Sequence, residues 1–300
     1  MTQASTQSQP PRLTRQPITR RTFLKALAQT SVGLGVAGVG GGVYSMRIEP
    51  FNVDVTETQI SLPTLPSAFD GFRLVHLTDL HFGEWMTQSH MESIAERVNA
   101  LTPDAVVITG DFASIVNSAV AGRITGSLRH LQAQHGVFAT LGNHDHWSDA
   151  PTITRAAEAA GVNVLFNEHV AFERGGERLF IAGVDDIWER RHDLNAALTG
   201  VPDDAAVVLL AHEPDYADQV AVDGRVGLQL SGHSHGGQVR LPGIGAPMLP
   251  WLGEKYDMGL YNLGQMQLYV SRGLGMIFPY VRFGCPPEIA QITLRAGSTE

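Results

Sequence analysis

In the last third of the chain, the stretch SGHSHGGQ combines residues of two different chemistries. Gly232, Ser234 and Gly236 fit the G-x-S-x-G pattern of a nucleophilic serine elbow. His233 and His235 flank that serine and are of the type that binds a metal ion. Residues elsewhere in the chain distinguish between these two interpretations, a serine nucleophile and a metal site.

The sequence after Ser234 argues against the serine nucleophile. An α/β-hydrolase elbow requires a helix after the serine, and its histidine comes later in the chain. Ser234 is followed by HGGQVRLPGIG, a glycine and proline loop, and His235 is the last histidine of the chain. The metal-binding interpretation is favoured, with Ser234 as a small spacer between two ligands.

Apolar, β-rich runs alternate with helix-like segments through the body of the chain. They are FRLVHLTD at 72–79, AVVITGD at 105–111, GVFATLGNHD at 136–145, RLFIAGVDD at 178–186, AAVVLLAHE at 205–213 and VGLQLSGH at 226–233. Their continuous hydrophobicity predicts strands that are buried on both faces. The segment SHMESIAERVNAL at 89–101 has apolar residues at helical spacing. Together these elements predict a layered α/β fold.

Almost every one of these runs ends in Asp, Asn or His. Because the carboxyl ends of strands line the ligand crevice of open α/β sheets, we expect these side chains to converge on one site. The candidate ligands are Asp79, His81, Asp111, Asn143, His212, His233 and His235, with His144 and Asp145 beside them. Histidines elsewhere, such as His76, are interpreted as structural.

The order of these residues resembles a known family. DLH at 79–81, GD at 110–111, GNHD at 142–145, His212 and GHSH at 232–235 resemble, in order and in type, the five blocks of the calcineurin-like metallophosphoesterases. That family has a four-layer α/β/β/α sandwich fold, which the resemblance implies here. Flanking stretches such as AHEPD and SGHSHGGQVRLPGIGAP look like the exported, envelope-associated branch of the family.

The resemblance implies a site with two divalent metal ions, for which mixed oxygen and nitrogen ligands suit manganese, iron or zinc. The first ion would be bound by Asp79, His81, Asp111 and His235, and the second by Asp111, Asn143, His212 and His233. Asp111 would bridge the ions, because a carboxylate has two oxygens. His144 would protonate the leaving oxygen, with Asp145 orienting its ring.

The implied activity is hydrolysis of phosphoric esters, because two divalent ions can activate water and stabilise phosphoryl oxygens. We expect a phosphodiester or pyrophosphate substrate rather than a monoester, such as a lipid-linked compound or a nucleotide-sugar diester. A non-catalytic metal-binding scaffold of the same fold is the alternative.

Composition limits the remaining partners. The single cysteine, Cys285, excludes an intrachain disulfide and a thiolate-rich metal site. The first 25 residues hold five of the chain's 21 basic residues and no acid, so the remaining 16 face 30 acidic residues. An acidic body poor in lysine does not favour nucleic acid as a main partner.

The N-terminus resembles an export signal. Residues 20–25 read RRTFLK, which resembles the twin-arginine motif, and a glycine-rich apolar stretch follows at about 26–44. This predicts passage through the twin-arginine export machinery to the periplasm or cell envelope. Residues 1–47 would be a cleaved signal or a retained membrane anchor, and residues 48–300 the phosphoesterase domain.

Two blocks have no role that the sequence assigns. They are GVDD, which contains Asp185 and Asp186, and RFGCPPE, which runs from Arg282 to Glu288. A strand end or rigid loop and a substrate contact remain open for both.

A long segment at 241–264 combines prolines and glycines with Trp251, Tyr256 and Tyr261. These aromatic side chains would form an apolar rim beside the metal site. The alternative is that they pack the loop onto the sheet.

Overall fold

A computed structural model describes residues 38–83 and 85–297 of the chain. From Tyr44 onward the described residues form one compact unit, and the described residues that precede it are helical. The twin-arginine motif and most of the apolar stretch lie outside the described residues. Within the described ranges, no helix has the length and apolarity needed to cross a membrane.

The first sheet places the last strand of the chain between the first two. Its strands, in spatial order, are β1 (Asp54–Leu62), β12 (Glu288–Ala296), β2 (Arg73–Leu77), β3 (Ala105–Thr109), β4 (Val137–Thr140) and β5 (Val162–Val164). Strands β2 to β5 are parallel to one another, whereas β12 is parallel to β1 and antiparallel to β2. The parallel set brings three strand ends with polar residues to one edge.

The second sheet also has six strands, but its centre is parallel and both of its edge strands are antiparallel to their neighbours. Its strands, in spatial order, are β10 (Gly259–Leu263), β11 (Met266–Val270), β9 (Leu228–Ser231), β8 (Ala206–Leu210), β7 (Glu177–Gly183) and β6 (Glu168–Arg174). Strands β7, β8, β9 and β11 are parallel, and β6 and β10 are antiparallel to their neighbours. Strands β8 and β9 lead directly into the remaining histidine blocks.

Helices cover the outer faces of both sheets. The α-helices from Gln88 onward are α1 (Gln88–Ala100), α2 (Ser118–Leu128), α3 (Asn143–Ser148), α4 (Ala150–Glu158), α5 (Leu194–Ala197) and α6 (Ala217–Asp223). In α1, the Thr87 side chain accepts a hydrogen bond from the His90 N–H, which caps the first turn. Met91, Ile94 and Val98 form the buried face of this helix, as their spacing predicts.

Alternating side chains assign each sheet face to a layer. In β3, Ala105 and Val107 pack between the two sheets, while Val106 and Ile108 pack against the helices. Strand β8 alternates in the same way between the central layer and the outer helices of its own sheet. The result is a four-layer α/β/β/α sandwich, as the family resemblance implies.

The six apolar runs predicted as strands form β2, β3, β4, β7, β8 and β9, and the predicted helix is α1. The antiparallel edge strands, and the pairing of β1 with β12 across more than 200 residues, were not evident from the residue pattern. Strands at a sheet edge lack the continuous apolar run that burial on both faces produces.

Gly183, at the end of β7, lies where the two sheets pack closely against each other. A Cβ atom at this position would lie 2.6 Å from Leu165 Cβ and 2.7 Å from Thr140 Cγ2. Because neither atom is the flexible end of a long side chain, Gly183→Ala is expected to lower the free energy of unfolding by about 1–3 kcal/mol. Urea unfolding would measure the change.

Gly122→Ala in α2 is the matched control, because nothing lies within 4 Å of an added Cβ there. This change should leave the free energy of unfolding unchanged or raise it by up to about 1 kcal/mol. Equal effects of the two substitutions would contradict the close approach at Gly183.

Candidate metal centre

The seven predicted ligands follow the carboxyl ends of five strands, and hydrogen bonds join their loops. The Asp79 N–H donates to the Gly110 carbonyl at 3.1 Å, and the Gly232 N–H donates to the His212 carbonyl at 3.0 Å. Asp79 and His81 follow β2, Asp111 follows β3, Asn143 follows β4, His212 follows β8, and His233 and His235 follow β9. All seven are buried.

The ligand loops share an unusual backbone conformation. Left-handed φ angles occur at Asp79 (52°), His81 (46°), Asp111 (54°), His233 (67°) and His235 (52°). Residues with a side chain rarely adopt this conformation, and it is stable only where the surrounding structure enforces it. Such clusters of strained residues are typical of functional sites.

Gly110 allows the loops of the two sheets to meet. It has a φ of 77°, and a Cβ atom there would lie 2.7 Å from both Gly142 N and His212 Nδ1. Any larger residue would push the β3 loop away from the β4 and β8 loops. The glycine of the GD block therefore brings Asp111 and His212 together.

Asp79, His81, Asp111 and His235 form a first ligand group, and their ligand atoms lie within 4.8 Å of one another. His235 Nε2 lies 3.1 Å from His81 Nε2 and 3.3 Å from Asp79 Oδ1. His81 Nε2 lies 3.5 Å from Asp111 Oδ2. These are the four residues predicted for the first ion.

The residues predicted for the second ion, which we call the second ligand group, lie beside the first group; they are Asp111, Asn143, His212 and His233. His212 Nε2 lies 3.2 Å from Asp111 Oδ2, and the ring centroids of His212 and His233 are 5.0 Å apart. The buried Asn143 Oδ1 has no hydrogen-bond donor among the described residues. A buried amide oxygen without a donor is costly unless a cation binds it, so this atom fits a metal site.

Asp111 Oδ2 faces both groups, whereas Asp111 Oδ1 accepts a hydrogen bond from the His144 N–H at 3.0 Å. The sequence led us to expect that both carboxylate oxygens would be available for bridging. Only Oδ2 faces the two groups, because Oδ1 is hydrogen-bonded to the His144 N–H, which follows β4.

Hydrogen bonds on the far side of two rings fix which nitrogen is free. His212 Nδ1 lies 2.7 Å from the Thr109 carbonyl, and His233 Nε2 lies 2.8 Å from the Trp251 carbonyl. A carbonyl can only accept, so each of these nitrogens is a donor. In the neutral rings, His212 Nε2 and His233 Nδ1 therefore carry the lone pairs, which is the usual arrangement around metal-binding histidines.

Burial dominates the electrostatics of the site. It raises the pKa of Asp79 to about 7 and lowers the pKa of His81 and of His233 to about 3. Burial also lowers the pKa of His212, but the Asp111 carboxylate 3.2 Å away outweighs it and raises that pKa well above its usual value. The rings of His81 and His233 are therefore neutral, and His212 alone supplies little positive charge for the buried carboxylates of Asp79 and Asp111, so divalent cations would add the missing counter-charge.

His144 lies next to both groups without belonging to either. Its ring is half-buried, 5.0 Å from the His81 ring and 4.9 Å from the Trp147 ring. This position beside the ligands suits the non-ligand role expected for the GNH histidine.

Asp145 does not orient the His144 ring, so that expectation is wrong. Its two carboxylate oxygens accept hydrogen bonds from the backbone N–H groups of Ala113, at 3.1 Å, and Gly142, at 3.0 Å. These bonds hold the β3 and β4 loops together. Asp145 begins a helix and points back into the buried loop junction, so it fixes the backbone that carries His144.

The GVDD block supports a loop that carries Trp188. The buried Glu213 carboxylate accepts hydrogen bonds from the N–H groups of Ile187, at 3.3 Å, and Trp188, at 3.2 Å. Asp186 accepts from the Glu189 N–H at 2.6 Å in the same loop. The role of Asp186 and of the AHEPD glutamate is therefore to position this loop.

Asp185 has a different partner, His146. The two side chains meet at 2.7 Å between Asp185 Oδ1 and His146 Nε2. Burial lowers the pKa of His146, but this carboxylate outweighs it and raises the pKa. The pair links the loop after β7 to helix α3 outside the two ligand groups.

Three tryptophans form a surface beside the site, which we call the tryptophan surface. The Trp188 ring lies 5.2 Å from the Trp147 ring and 4.9 Å from the Trp251 ring, both edge to face. Trp147 is 51% exposed and Trp251 is 53% exposed. Trp147 and Trp188 were not predicted, although each lies within five residues of a predicted block.

The predicted apolar rim is correct only for Trp251. Tyr256 is buried and its hydroxyl donates to Asp218 at 2.9 Å, and the half-buried Tyr261 donates to Asp257 at 2.8 Å. These two tyrosines pack the loop onto the protein, as the alternative interpretation held.

The RFGCPPE block is structural. The Arg282 side chain is fully buried and donates to four backbone carbonyls at 2.7–3.1 Å. Glu288 accepts from the Arg272 N–H at 3.0 Å and from the Tyr269 hydroxyl at 2.6 Å. Arg282 holds the loop after β11 in place, and that loop packs against Asp79.

Arg282→Met should lower the free energy of unfolding by about 3–5 kcal/mol, because it leaves four buried carbonyls without a donor. Urea unfolding would measure this. Arg225→Met is the control: its exposed pair with Asp223 should contribute less than about 1 kcal/mol. A substrate-binding arginine would instead raise KM with little effect on stability, and that result would contradict the structural role.

Comparisons with known proteins agree with this site. Residues 72–237 match the family model described as calcineurin-like phosphoesterase. The chain is 33% identical over 282 residues to the uncharacterized metallophosphoesterase YkuE of Bacillus subtilis, covering 93% of this chain and 98% of that protein. It is 28% identical over 281 residues to the phosphodiesterase YaeI of Escherichia coli, covering 92% and 99%. The chain therefore belongs to the calcineurin-like metallophosphoesterases, metal-dependent hydrolases of phosphoric esters.

Proposed function

We propose that the protein hydrolyses phosphodiesters or pyrophosphates with two divalent ions. The observation that carries this proposal is the position of Asp111 Oδ2, 3.5 Å from His81 Nε2 and 3.2 Å from His212 Nε2. An oxygen with two lone pairs, placed between two ligand groups, is suited to bridge two cations.

The first ion would be held by the first ligand group and the second by the second group, with Asp111 common to both. When bound, such a pair of ions supplies Lewis-acid stabilisation of phosphoryl oxygens and activates water. Oxygen and nitrogen donors without thiolate suit manganese, iron or zinc.

His144 would supply the proton for the leaving oxygen. Its half-buried ring lies beside both ligand groups, and hydrogen bonds to Asp111 and Asp145 fix the backbone around it. A general acid must be held within hydrogen-bond reach of the leaving group. Here the rigid start of α3 would place the ring, while Asp145 acts through the backbone.

A diester is favoured over a monoester because the site adjoins surfaces that would contact a second substituent. The tryptophan surface meets His144 through Trp147 and His233 through Trp188, with ring centroids 4.9 Å and 5.7 Å apart. A monoester has no second substituent that could contact the tryptophan surface. The similarity to a protein named as a phosphodiesterase supports the same choice.

We further propose that the chain acts in the periplasm or at the cell envelope on lipid-linked or nucleotide-sugar substrates. Residues 20–25 support export by the twin-arginine machinery. Residues 1–47 would be a cleaved signal or a membrane anchor, and 48–300 the catalytic domain.

The substrate class can be tested with bis(p-nitrophenyl) phosphate and p-nitrophenyl phosphate. The manganese-loaded protein should hydrolyse the diester with a kcat/KM at least tenfold above that for the monoester, since only the diester contacts both sides of the site. Release of p-nitrophenol measures both. A preference for the monoester would overturn the diester proposal, and a folded, metal-loaded protein inert to both esters would support a scaffold.

The residue roles predict different behaviour for two variants. Asp111→Asn should reduce the metal content from two ions per chain and remove nearly all activity. His144→Ala should keep both ions and lower kcat by about 10²–10⁴, with a smaller loss for leaving groups that need no proton. Elemental analysis and steady-state kinetics measure these effects.

His146→Ala is the matched control, because His146 lies in the same helix but pairs with Asp185 outside both ligand groups. It should retain both ions. Loss of metal in His144→Ala would make that residue a ligand, and one ion per chain in fully active wild-type protein would overturn the two-metal assignment.

A further inference from the structure

An apolar groove lies beside the metal centre. It has a volume of about 410 Å³ and is lined by residues from three segments, within 233–239, 247–250 and 277–281. His233 and His235 belong to the lining, so the groove is continuous with both ligand groups. This volume is in the range of small-molecule binding sites.

Gln238 keeps the polar backbone of one side of the groove satisfied. Its side-chain Nε2 donates to the carbonyls of Ile277, at 3.1 Å, and Pro279, at 3.3 Å, while its Oε1 accepts from the Ile277 N–H at 2.8 Å. Gln238 itself is buried. The groove therefore presents apolar side chains rather than unpaired backbone groups.

Two large apolar side chains at this groove are exposed. Met248 is 81% exposed and Phe278 is 83% exposed, and they belong to different lining segments. Apart from His233 and His235, the lining holds no ionisable side chain among the described residues. Exposed apolar surface beside a reactive site indicates an apolar ligand.

The start of the folded unit lies next to the same groove. The Arg282 N–H donates to the Ser45 carbonyl at 2.9 Å, and the Tyr44 ring lies 6.4 Å from the Phe283 ring. Arg282 and Phe283 are the first and second residues after Val281, which lines the groove. The first residues of the folded unit therefore pack beside one of the segments that line the groove.

We propose that the groove binds the hydrocarbon chain of an amphiphilic phosphodiester whose phosphate lies at the metal centre. The inference rests on the proposed function and names the substrate class. Because the groove begins at two metal ligands, its occupant and the reacting phosphate belong to one molecule. A charged head group would find no countercharge in the lining, whereas methylene groups would be removed from water.

Alkyl p-nitrophenyl phosphates, from methyl to decyl, test this substrate class. They share one leaving group and are used below the concentrations at which they form micelles. For the manganese-loaded full-length chain, kcat/KM should rise about fourfold for each methylene that enters the groove. The rise should stop once the groove is filled. In Met248→Ser and Phe278→Ser, the ratio of kcat/KM for decyl to that for methyl should fall at least tenfold.

Ile244→Ser is the matched control. Ile244 lies in the same long loop and is 73% exposed, but it does not line the groove. This variant should keep the wild-type decyl to methyl ratio. An equal fall in Ile244→Ser would overturn the groove assignment, because the loop as a whole would then be responsible.

Three outcomes separate the inference from the function on which it rests. Hydrolysis at equal rates for every chain length would overturn the groove and leave the phosphodiesterase proposal intact. Failure to hydrolyse any ester would overturn the proposed function. Calorimetry with methylphosphonate and decylphosphonate, which are not hydrolysed, then decides the groove separately: equal affinities would overturn it.

Co-sedimentation with phosphatidylglycerol vesicles distinguishes the groove from a surface that inserts into a bilayer. If Met248→Ser and Phe278→Ser weakened vesicle binding but left the decyl to methyl ratio unchanged, the inference would be overturned. The expected result is a changed ratio on monomeric substrates without vesicles.

Discussion

The structure depends on one buried carboxylate oxygen, Asp111 Oδ2, which faces ligands from both sheets. His81 follows a strand of the first sheet and His212 a strand of the second, and both approach this oxygen within 3.5 Å. Removing a carboxylate from water costs several kcal/mol of free energy unless a positive charge and hydrogen bonds compensate for the lost hydration. The fold places imidazole nitrogens around that charge, which is an arrangement that divalent cations would stabilise.

Much of the surrounding structure holds this arrangement in place. Five ligands adopt left-handed backbone conformations, and Gly110 allows the two sheets' loops to approach. Asp145 joins the β3 and β4 loops, and Arg282 holds the loop that packs against Asp79. The backbone strain at the ligands is therefore offset by buried hydrogen bonds from side chains that lie outside the two ligand groups.

Around the candidate metal centre, the aromatic and apolar surfaces that we propose to contact the substrate come from loops after the strands. Glu213 positions Trp188, and Gln238 positions the segment that carries Phe278. Each is a buried polar side chain that satisfies backbone groups, so the exposed surface beside it is aromatic or apolar. Under the proposed function, the reaction and the choice of substrate would thus use different residues on the same loops.

The sequence by itself determined the strand cores, the helix α1 and the residues that gather at the strand ends. Short continuous apolar runs rich in β-branched residues favour buried strands, and polar residues that follow parallel strands meet at one edge of the sheet. Only the tertiary structure decided the partners of Asp145, the burial of Tyr256 and the gathering of Trp147 with Trp188 and Trp251. Some of those contacts join residues that are distant in the chain, and others depend on the direction in which one side chain points. Local periodicity carries no information on either.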